Sequence, residues 1–318
     1  MSTLQIAVIG AGTMGSNIAL NFAVHGHEVA LFDTDAGQLK RAAETAKINA
    51  ELLGRHGLLG GPATVVLARI TTETDLANAI SGAEVVVEAV PENLSLKRRV
   101  FAGLEKLCRA EAILASNTST FMPSKLAESL AHPQRFLVMH YWNPAHLMPL
   151  VEVVPHPRTE PTAVSRVTAL LESCGKRPVL VRSEVPGFIG NRLAFALQRE
   201  AMALVAKGVA TPEDIDAVAR AGFGRRIPVS GIFATADLGG LDVYSAICDQ
   251  LFPDLCQDAA APAALHQLVA RGCLGVKSGR GWYEYTPAQI TALRAELSEE
   301  LIARAKHDRD DQEAGHAN

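Results

Sequence analysis

His140 and Glu152 are the residues whose types and spacing best suit proton transfer. His140 closes an apolar run, residues 135–140, and Glu152 interrupts another, residues 150–154. A histidine titrates near neutral pH and can take a proton from a hydroxyl, while a carboxylate beside it fixes its tautomer and stabilises the imidazolium. The turn residues 143–146 between the two runs allow the side chains to meet. A structural histidine and an outward-facing strand glutamate are the alternatives.

A glycine pattern near the start of the chain indicates which kind of cofactor could take up the hydride when a hydroxyl is oxidised. An apolar run, residues 6–9, ends in G-x-G-x-x-G, and an apolar-periodic helix follows at once. The glycines allow a tight turn, close approach of a pyrophosphate and close helix–strand packing, and the helix N-terminus offers free N–H groups to phosphates. This pattern predicts a dinucleotide site that includes Gly10, Gly12, Thr13, Met14 and Gly15.

A second apolar run, residues 29–32, ends in Asp33. A carboxylate at that distance suits the two ribose hydroxyls of NAD and repels the extra phosphate of NADP. The alternative is that Asp33 caps the helix that follows. With the glycines in place, Asp33 favours NAD as the cofactor.

The elements that must position these residues alternate between strand and helix in the first half of the chain. Further strands are predicted over residues 65–70, 84–88, 112–115, 135–140, 150–154 and 178–181. Alternation of this kind is typical of an α/β fold with a Rossmann-type, doubly wound parallel sheet, in which ligands bind outside the carboxyl ends of the strands. We therefore expect the functional side chains among Gly10, Asp33, residues 88–93, residues 116–119 and His140.

The strand signal stops after Pro186-Gly187, and the periodicity beyond it is helical. We expect an NAD-binding Rossmann domain over residues 1–185, a mostly α-helical substrate and dimerisation domain over 186–292, and a charged helical tail over 293–318. The dimer interface is expected by analogy with other dinucleotide enzymes that carry an appended helical domain.

The composition narrows the class of protein. The chain has 318 residues, of which 48% are hydrophobic and 20% charged, with a net charge of −4 that is not grouped in blocks. This balance is typical of a globular protein and disfavours a nucleic-acid partner.

The five cysteines show no C-x-x-C spacing, so we expect neither a metal site nor a disulfide frame. The first strand starts almost at once and no apolar run reaches the ~20 residues of a membrane helix, so we expect a cytoplasmic protein with no membrane partner.

Several motifs in one order resemble the L-3-hydroxyacyl-CoA dehydrogenases along nearly the whole chain. The matching segments are residues 10–15, 88–94 with Lys97, 116–119, His140 followed by residues 143–144, 151–153, 186–192, 237–242 and 275–283. The resemblance implies that His140 is the general base and Glu152 its orienting partner. It also implies that Ser119 and Asn191 contact the reacting oxygen and neighbouring substrate atoms. The residues that it implies in holding NAD are Glu92, Lys97, Asn143 and Lys277, with Ser119 near the nicotinamide.

The predicted function is therefore NAD-dependent oxidation of an L-3-hydroxyacyl-CoA, such as 3-hydroxybutyryl-CoA, to the 3-ketoacyl-CoA. That activity belongs to the alcohol-oxidising oxidoreductases, EC class 1.1.1. The resemblance places such an enzyme in fatty acid metabolism, and we expect a homodimer.

Two departures from the family pattern leave a second substrate class open, and residues 140–144 and 148–152 resemble more closely the relatives that oxidise small free hydroxy acids. The basic helical arm after the second strand is shorter than in typical CoA-using members, and the loop at residues 222–228 carries Arg225 and Arg226 in place of an uncharged turn. Two adjacent arginines can hold a carboxylate directly. The alternative substrate is thus a small free hydroxy acid, similar to gulonate, carnitine or a hydroxymethyl-pyridine carboxylate. Solvated arginines, or arginines paired across a dimer, are the other interpretation.

Two further classes are disfavoured. A β-hydroxyacid dehydrogenase of the 6-phosphogluconate type needs a lysine where the helical domain begins, and residues 188–193 contain none. A non-catalytic NAD sensor would not need His140, Glu152, Ser119 and Asn191 together.

Overall fold

The computed structural model describes residues 2–315, apart from the side chains of residues 129 and 311–315. Eight strands form one sheet in the order β3-β2-β1-β4-β5-β6-β7-β8. The strands are β1 (Gln5–Ile9), β2 (Glu28–Phe32), β3 (Ile70–Glu73), β4 (Val85–Glu88), β5 (Ile113–Ser116), β6 (Phe136–Tyr141), β7 (Leu150–Pro155) and β8 (Arg177–Leu180).

Helices connect and cover the strands. In the first part of the chain they are α1 (Thr13–Val24), α2 (Ala36–Arg55), α3 (Ala63–Leu67), α4 (Leu76–Ile80), α5 (Leu94–Leu107), α6 (Pro123–Leu126) and α7 (Pro161–Ser173). The later helices are α8 (Gly190–Ala206), α9 (Pro212–Ala221), α10 (Ile227–Ser230), α11 (Phe233–Gly239), α12 (Leu241–Leu251), α13 (Ala263–Ala270) and α14 (Pro287–Gly315).

The sheet is parallel from β3 to β6, and β7 runs antiparallel to β6. Central strands such as β4 and β5 are buried along their whole length, because helices cover both faces of the sheet. Along β1 the side chains alternate between two apolar clusters, with Ile6 and Val8 in one and Ala7 and Ile9 in the other. This architecture confirms the predicted doubly wound fold followed by a helical region.

The strand predicted over residues 65–70 is wrong. Residues 63–67 form α3 instead, and β3 starts only at Ile70. Pro62 lies at the N-cap of α3 with extended backbone, and Val66 is buried while Val65 is exposed. A short β-branched run carries no periodicity signal that separates a strand from one helical turn, so the packing of Val66 decides the structure.

The chain divides into two compact units, residues 1–191 with 296–318, and residues 192–295. The first unit contains the sheet and the second part of α14, in which Ile302 is buried. The second unit is helical. Of the tail predicted over 293–318, the structure shows helix up to Gly315, and residues 316–318 lie outside the described range. The predicted substrate and dimerisation roles of residues 186–292 stay predictions.

The loop between β6 and β7 is fixed by a buried cation. Lys176 donates from Nζ to the carbonyl oxygens of Ala145 at 2.6 Å and Met148 at 3.0 Å. His146 lies in the same loop, and its buried Nδ1 has no hydrogen-bond partner among the described residues. Burial, with the nearby charge of Lys176, lowers the pKa of His146 from 6.5 to about 4.

A half-buried histidine that is neutral in the folded chain makes folding sensitive to acid. As the pH falls from 6.5 towards 4, the unfolded chain gains a proton at His146 that the folded chain does not bind, so stability is lost across that window. We expect His146→Gln to reduce the loss by about 2–3 kcal/mol between neutral pH and pH ~4. Urea unfolding of both proteins at several pH values measures this difference. His132→Gln, at an exposed histidine, is the control. If the free energy of unfolding fell equally steeply with pH in the wild type and in His146→Gln, His146 would not be the source of the acid sensitivity.

Candidate active site

The antiparallel pairing of β6 with β7 brings His140 and Glu152 together. The two residues are directly opposite in the register, and His140 Nδ1 lies 2.8 Å from Glu152 Oε2. Both are almost fully buried, with 4% and 1% of their surfaces exposed. Because the carboxylate occupies Nδ1, the hydrogen-bond arrangement assigns the proton of the neutral ring to Nδ1 and leaves Nε2 to accept another.

Glu152 is held on its other oxygen by the main chain. The N–H groups of Ile189 and Gly190 donate to Oε1 at 2.8 Å and 3.0 Å. Burial alone would raise the pKa of Glu152, but the hydrogen bonds from His140 and from these two N–H groups outweigh it and lower the pKa below its usual value. The carboxylate is therefore ionised at neutral pH and oriented towards the imidazole.

Two aromatic rings enclose the His140 ring. The Trp142 and Phe188 rings lie with their centroids 5.8 Å and 5.5 Å from it. Phe188 is fully buried and has a positive φ of 54°. A non-glycine residue in this conformation costs ~1–3 kcal/mol, and such strain is typical of functional sites. Here the strained residue immediately precedes the two N–H groups that bind Glu152.

These contacts were missed from the sequence for different reasons. Trp142 follows His140 by two residues, but the direction of its indole N–H carries no sequence signal. Ile189 and Gly190 act through their main chains, so their residue types do not reveal the role. Phe188 stands in the motif at residues 186–192 and could have been proposed as a wall of the site from that motif alone.

Ser119 and Asn191 also lie together. Asn191 donates from Nδ2 to the carbonyl oxygen of Ser119 at 3.1 Å. The Ser119 N–H in turn points to Glu92 Oε1 at 3.2 Å. The predicted substrate contacts and one predicted cofactor contact are therefore parts of one hydrogen-bonded cluster.

Glu92 belongs to a network around the buried Lys97. Lys97 Nζ lies 3.2 Å from Glu92 Oε2 and 2.7 Å from Oε1 of Glu88, which is fully buried at the end of β4. Burial would raise the pKa of Glu92, but the Thr118 hydroxyl and the charge of Lys97 lower it. Burial raises the pKa of Glu88, opposed by Lys97 and by the Ser116 hydroxyl, which donates to Oε2 at 2.6 Å. The sequence placed Glu88 at a strand end but did not predict this pairing.

The glycine loop has the shape that a pyrophosphate needs. Gly10 has φ +104°, and a Cβ there would lie 2.7 Å from the carbonyl oxygen of Ala89. A Cβ on Gly15 would lie 1.8 Å from the carbonyl oxygen of Gly10, so helix and strand meet with no room for a side chain. Next to Gly12, by contrast, no atom lies within 4 Å of the Cβ position. The space beside Gly12 is open at the start of α1, whose first turn has no side-chain cap.

Asp33 lies beside this loop. Its carboxylate accepts the N–H of Ala11 at 2.9 Å and that of Asp35 at 3.0 Å. Asp35, and not Asp33, caps α2 through the N–H of Gly37. Asp33 is thus available at the rim of a cavity of about 710 Å³ lined by the glycine loop, including Thr13 and Met14. The open space at Gly12, the uncapped helix start and this carboxylate fit an NAD molecule.

The remaining predicted site residues are not brought to this cluster by any contact within the first unit. Asn143 is exposed in the β6–β7 loop. Arg225, Arg226 and Lys277 lie in the second unit and are exposed there. Their predicted contacts with substrate and cofactor stay predictions.

Two family models match the chain in sequence. The NAD-binding domain of 3-hydroxyacyl-CoA dehydrogenase matches residues 5–185, and the C-terminal domain of 3-hydroxyacyl-CoA dehydrogenase matches residues 187–285. The chain belongs to the 3-hydroxyacyl-CoA dehydrogenase family. It is an NAD-dependent oxidoreductase of this type, as the motifs predicted.

Similar members of the family differ in substrate. The 5-formyl-3-hydroxy-2-methylpyridine 4-carboxylate 5-dehydrogenase of Mesorhizobium japonicum is 38% identical over 94% of this chain and 96% of its own length. A crystal structure of an enzyme with that activity, described as an NAD⁺-dependent dismutase, has a TM-score of 0.91 at 35% identity and covers 97% of this chain and 99% of its own. A probable 3-hydroxybutyryl-CoA dehydrogenase of Deinococcus radiodurans is 36% identical over 89% of this chain and 100% of its own length.

No helix in residues 2–315 is long and apolar enough to cross a membrane. Among the described side chains, no group of three or more His, Cys, Asp or Glu residues is placed to hold a metal ion.

The position of Asp33 predicts the cofactor preference. Replacing Asp33 by Asn keeps an acceptor for the Ala11 N–H but removes the charge that favours ribose hydroxyls over a 2′-phosphate. We expect the ratio of kcat/KM with NAD to that with NADP to fall by about 10–100-fold, the effect of a hydrogen bond to a charged group. Asp35→Ser, which keeps a capping residue on α2, is the control. An unchanged ratio in Asp33→Asn would refute the role of this carboxylate.

Proposed function

We propose that this enzyme oxidises the hydroxyl-bearing carbon of an L-3-hydroxyacyl-CoA, such as 3-hydroxybutyryl-CoA, with His140 as the general base. The observation that carries the proposal is the 2.8 Å contact between His140 Nδ1 and the buried, ionised Glu152. NAD, when bound, accepts the hydride that leaves the substrate carbon. His140 Nε2 takes the hydroxyl proton at the same time, and Glu152 stabilises the imidazolium that forms.

The neighbouring polar residues have separate roles in this proposal. Ser119 and Asn191 contact the reacting oxygen and nearby substrate atoms, and their mutual hydrogen bond keeps them in one place. In the reverse reaction such donors stabilise the charge that develops on the carbonyl oxygen. Glu92, tied to Lys97 and to the Ser119 N–H, links the cofactor side of the site to the substrate side. Asn143 and Lys277 complete the cofactor contacts.

A small free hydroxy acid is the second candidate substrate. It is supported by the likeness to a pyridine carboxylate dehydrogenase along almost the full length of both chains. The exposed Arg225 and Arg226 agree with it, because two guanidinium groups can bind one carboxylate. The hydride transfer and the roles of His140 and Glu152 are the same for both substrates.

The chain acts as a homodimer in this proposal. No residue of 192–295 is buried within the single chain, and several large apolar side chains there are almost fully exposed, among them Val229 (89%), Phe233 (86%) and Leu238 (83%). A helical unit of about 100 residues is not stable without a buried core. A second copy of the chain, the commonest partner of such a surface, supplies the missing contacts.

The substrate and the base are tested in one assay. NADH absorbance is followed with NAD and L-3-hydroxybutyryl-CoA, and in parallel with a panel of free hydroxy acids. Turnover with the thioester alone supports the first candidate, and turnover with a free acid alone supports the second. We expect His140→Gln to lower kcat by at least about 10²-fold on whichever substrate is used, because a general base contributes that much. His132→Gln is the control, and a smaller loss in His140→Gln would rule out the role of base.

The dimer is tested by light scattering after size-exclusion chromatography. We expect twice the chain mass of 33.8 kDa, and a melting temperature that rises with protein concentration. Phe233→Asp should lower both quantities. Val65→Asp, at an exposed apolar residue of the first unit, should change neither. A wild-type chain that is monomeric at micromolar concentration would contradict the proposal.

A further inference from the structure

Trp142 touches the catalytic pair in a way that the proposed function does not use. Its indole Nε1 lies 3.4 Å from Glu152 Oε2, the same oxygen that receives His140 Nδ1 at 2.8 Å. The indole ring lies at 52° to the His140 ring, with the ring centroids 5.8 Å apart, and the N–H groups of both rings point to this one carboxylate oxygen. One acceptor is therefore shared between a residue that must gain a proton and a residue that cannot.

We propose that Trp142 is a positioning residue that sets how strongly His140 holds its proton, by competing for Glu152 Oε2. The inference rests on the proposed role of His140 as general base. A hydrogen bond from the indole draws negative charge away from the oxygen that faces the imidazolium. Without that bond Oε2 is a stronger partner for the imidazolium, and His140 keeps its proton up to a higher pH.

The main chain around Trp142 is built to keep the ring in this place. A Cβ on Gly190 would lie 2.4 Å from Trp142 Cζ2, so the ring packs directly on the backbone of that residue. The Gly190 N–H binds the opposite oxygen of Glu152. The substitution Trp142→Phe separates ring packing from hydrogen bonding, because phenylalanine keeps an aromatic ring in this place and lacks the N–H.

Other titratable groups lie on the elements around the pair. They are Tyr141 on β6, Glu184 before the 187–190 segment, His146 in the β6–β7 loop, and Lys176 before β8. Burial lowers the pKa of His146 to about 4 and that of Lys176 to about 8, whereas that of Tyr141 is raised. The titratable group whose charge affects the pKa of Glu152 is His140. A change in the pH profile on altering Trp142 therefore reports on the pair.

The kinetic test compares pH profiles of kcat/KM in the wild type, Trp142→Phe and Trp142→Leu. We expect the midpoint of the acidic limb to move up by about half a pH unit in Trp142→Phe, since a 3.4 Å bond to a carboxylate is weaker than an ideal one. Trp142→Leu should show the same shift together with a lower kcat, because the ring is lost as well. His146→Gln is the matched control and should leave the midpoint unchanged. A Trp142→Phe enzyme with an unmoved midpoint would overturn the inference, whatever its kcat.

A second measurement needs no substrate. The chain has two tryptophans, and Trp282→Phe leaves Trp142 as the sole indole. A protonated imidazole quenches a neighbouring indole, so we expect Trp142 fluorescence to fall as the pH is lowered, and His140→Gln to abolish that step. If His140→Gln retains the step, the pair is not the source and the inference fails. If His140→Gln abolishes the step but keeps full kcat, the proposed base is wrong, whereas the effect of Trp142 on proton binding by His140 is decided by the midpoint in Trp142→Phe.

Discussion

The buried charge of Glu152 is the constraint around which the site is arranged. An ionised carboxylate with 1% exposure is costly unless its oxygens are bonded, and removing one partner of such a group is more damaging than never burying it. Its four donors come from β6, from the residue after β6 and from a segment 37–38 residues further along the chain. The antiparallel pairing of β7 with β6 brings His140 to this carboxylate. The strained backbone at Phe188 precedes the two main-chain donors, and Gly190 leaves room for the Trp142 ring.

The cofactor side of the site depends on the main chain in a different way. At the glycine loop the missing side chains create room, so that Gly10 and Gly15 pack against other backbone and Gly12 stays open. Asp33 then joins the loop to β2 by accepting the Ala11 N–H. The glycine loop and the Asp33 carboxylate are thus joined directly by a hydrogen bond.

Much of this arrangement could be predicted because it follows from local pattern. The strands, the glycine loop, Asp33 and the meeting of His140 with Glu152 depend on periodicity, a tight turn and the edge at which parallel strands end. The strand predicted over 65–70 failed because a short β-branched run fits one helical turn equally well. The donors of Ile189 and Gly190 are main-chain groups, and the Lys97–Glu88 pair depends on how α5 packs behind β4. The roles of Asn143, Lys277, Arg225 and Arg226 depend on bound molecules, so neither pattern nor fold decides them.

The two buried carboxylates, Glu88 on β4 and Glu152 on β7, differ in the partners that balance their charge. Glu88 is paired with Lys97, whose Nζ lies 2.7 Å from Glu88 Oε1. Glu152 receives only neutral donors apart from His140, so its negative charge is uncompensated until the imidazole takes a proton. A lysine in place of one of those neutral donors would hold Glu152 equally well but would cancel the field that favours the imidazolium. The main-chain and indole N–H groups around Glu152 therefore keep the carboxylate ionised while leaving its charge for the histidine, an arrangement that suits the proposed role of His140 as a general base.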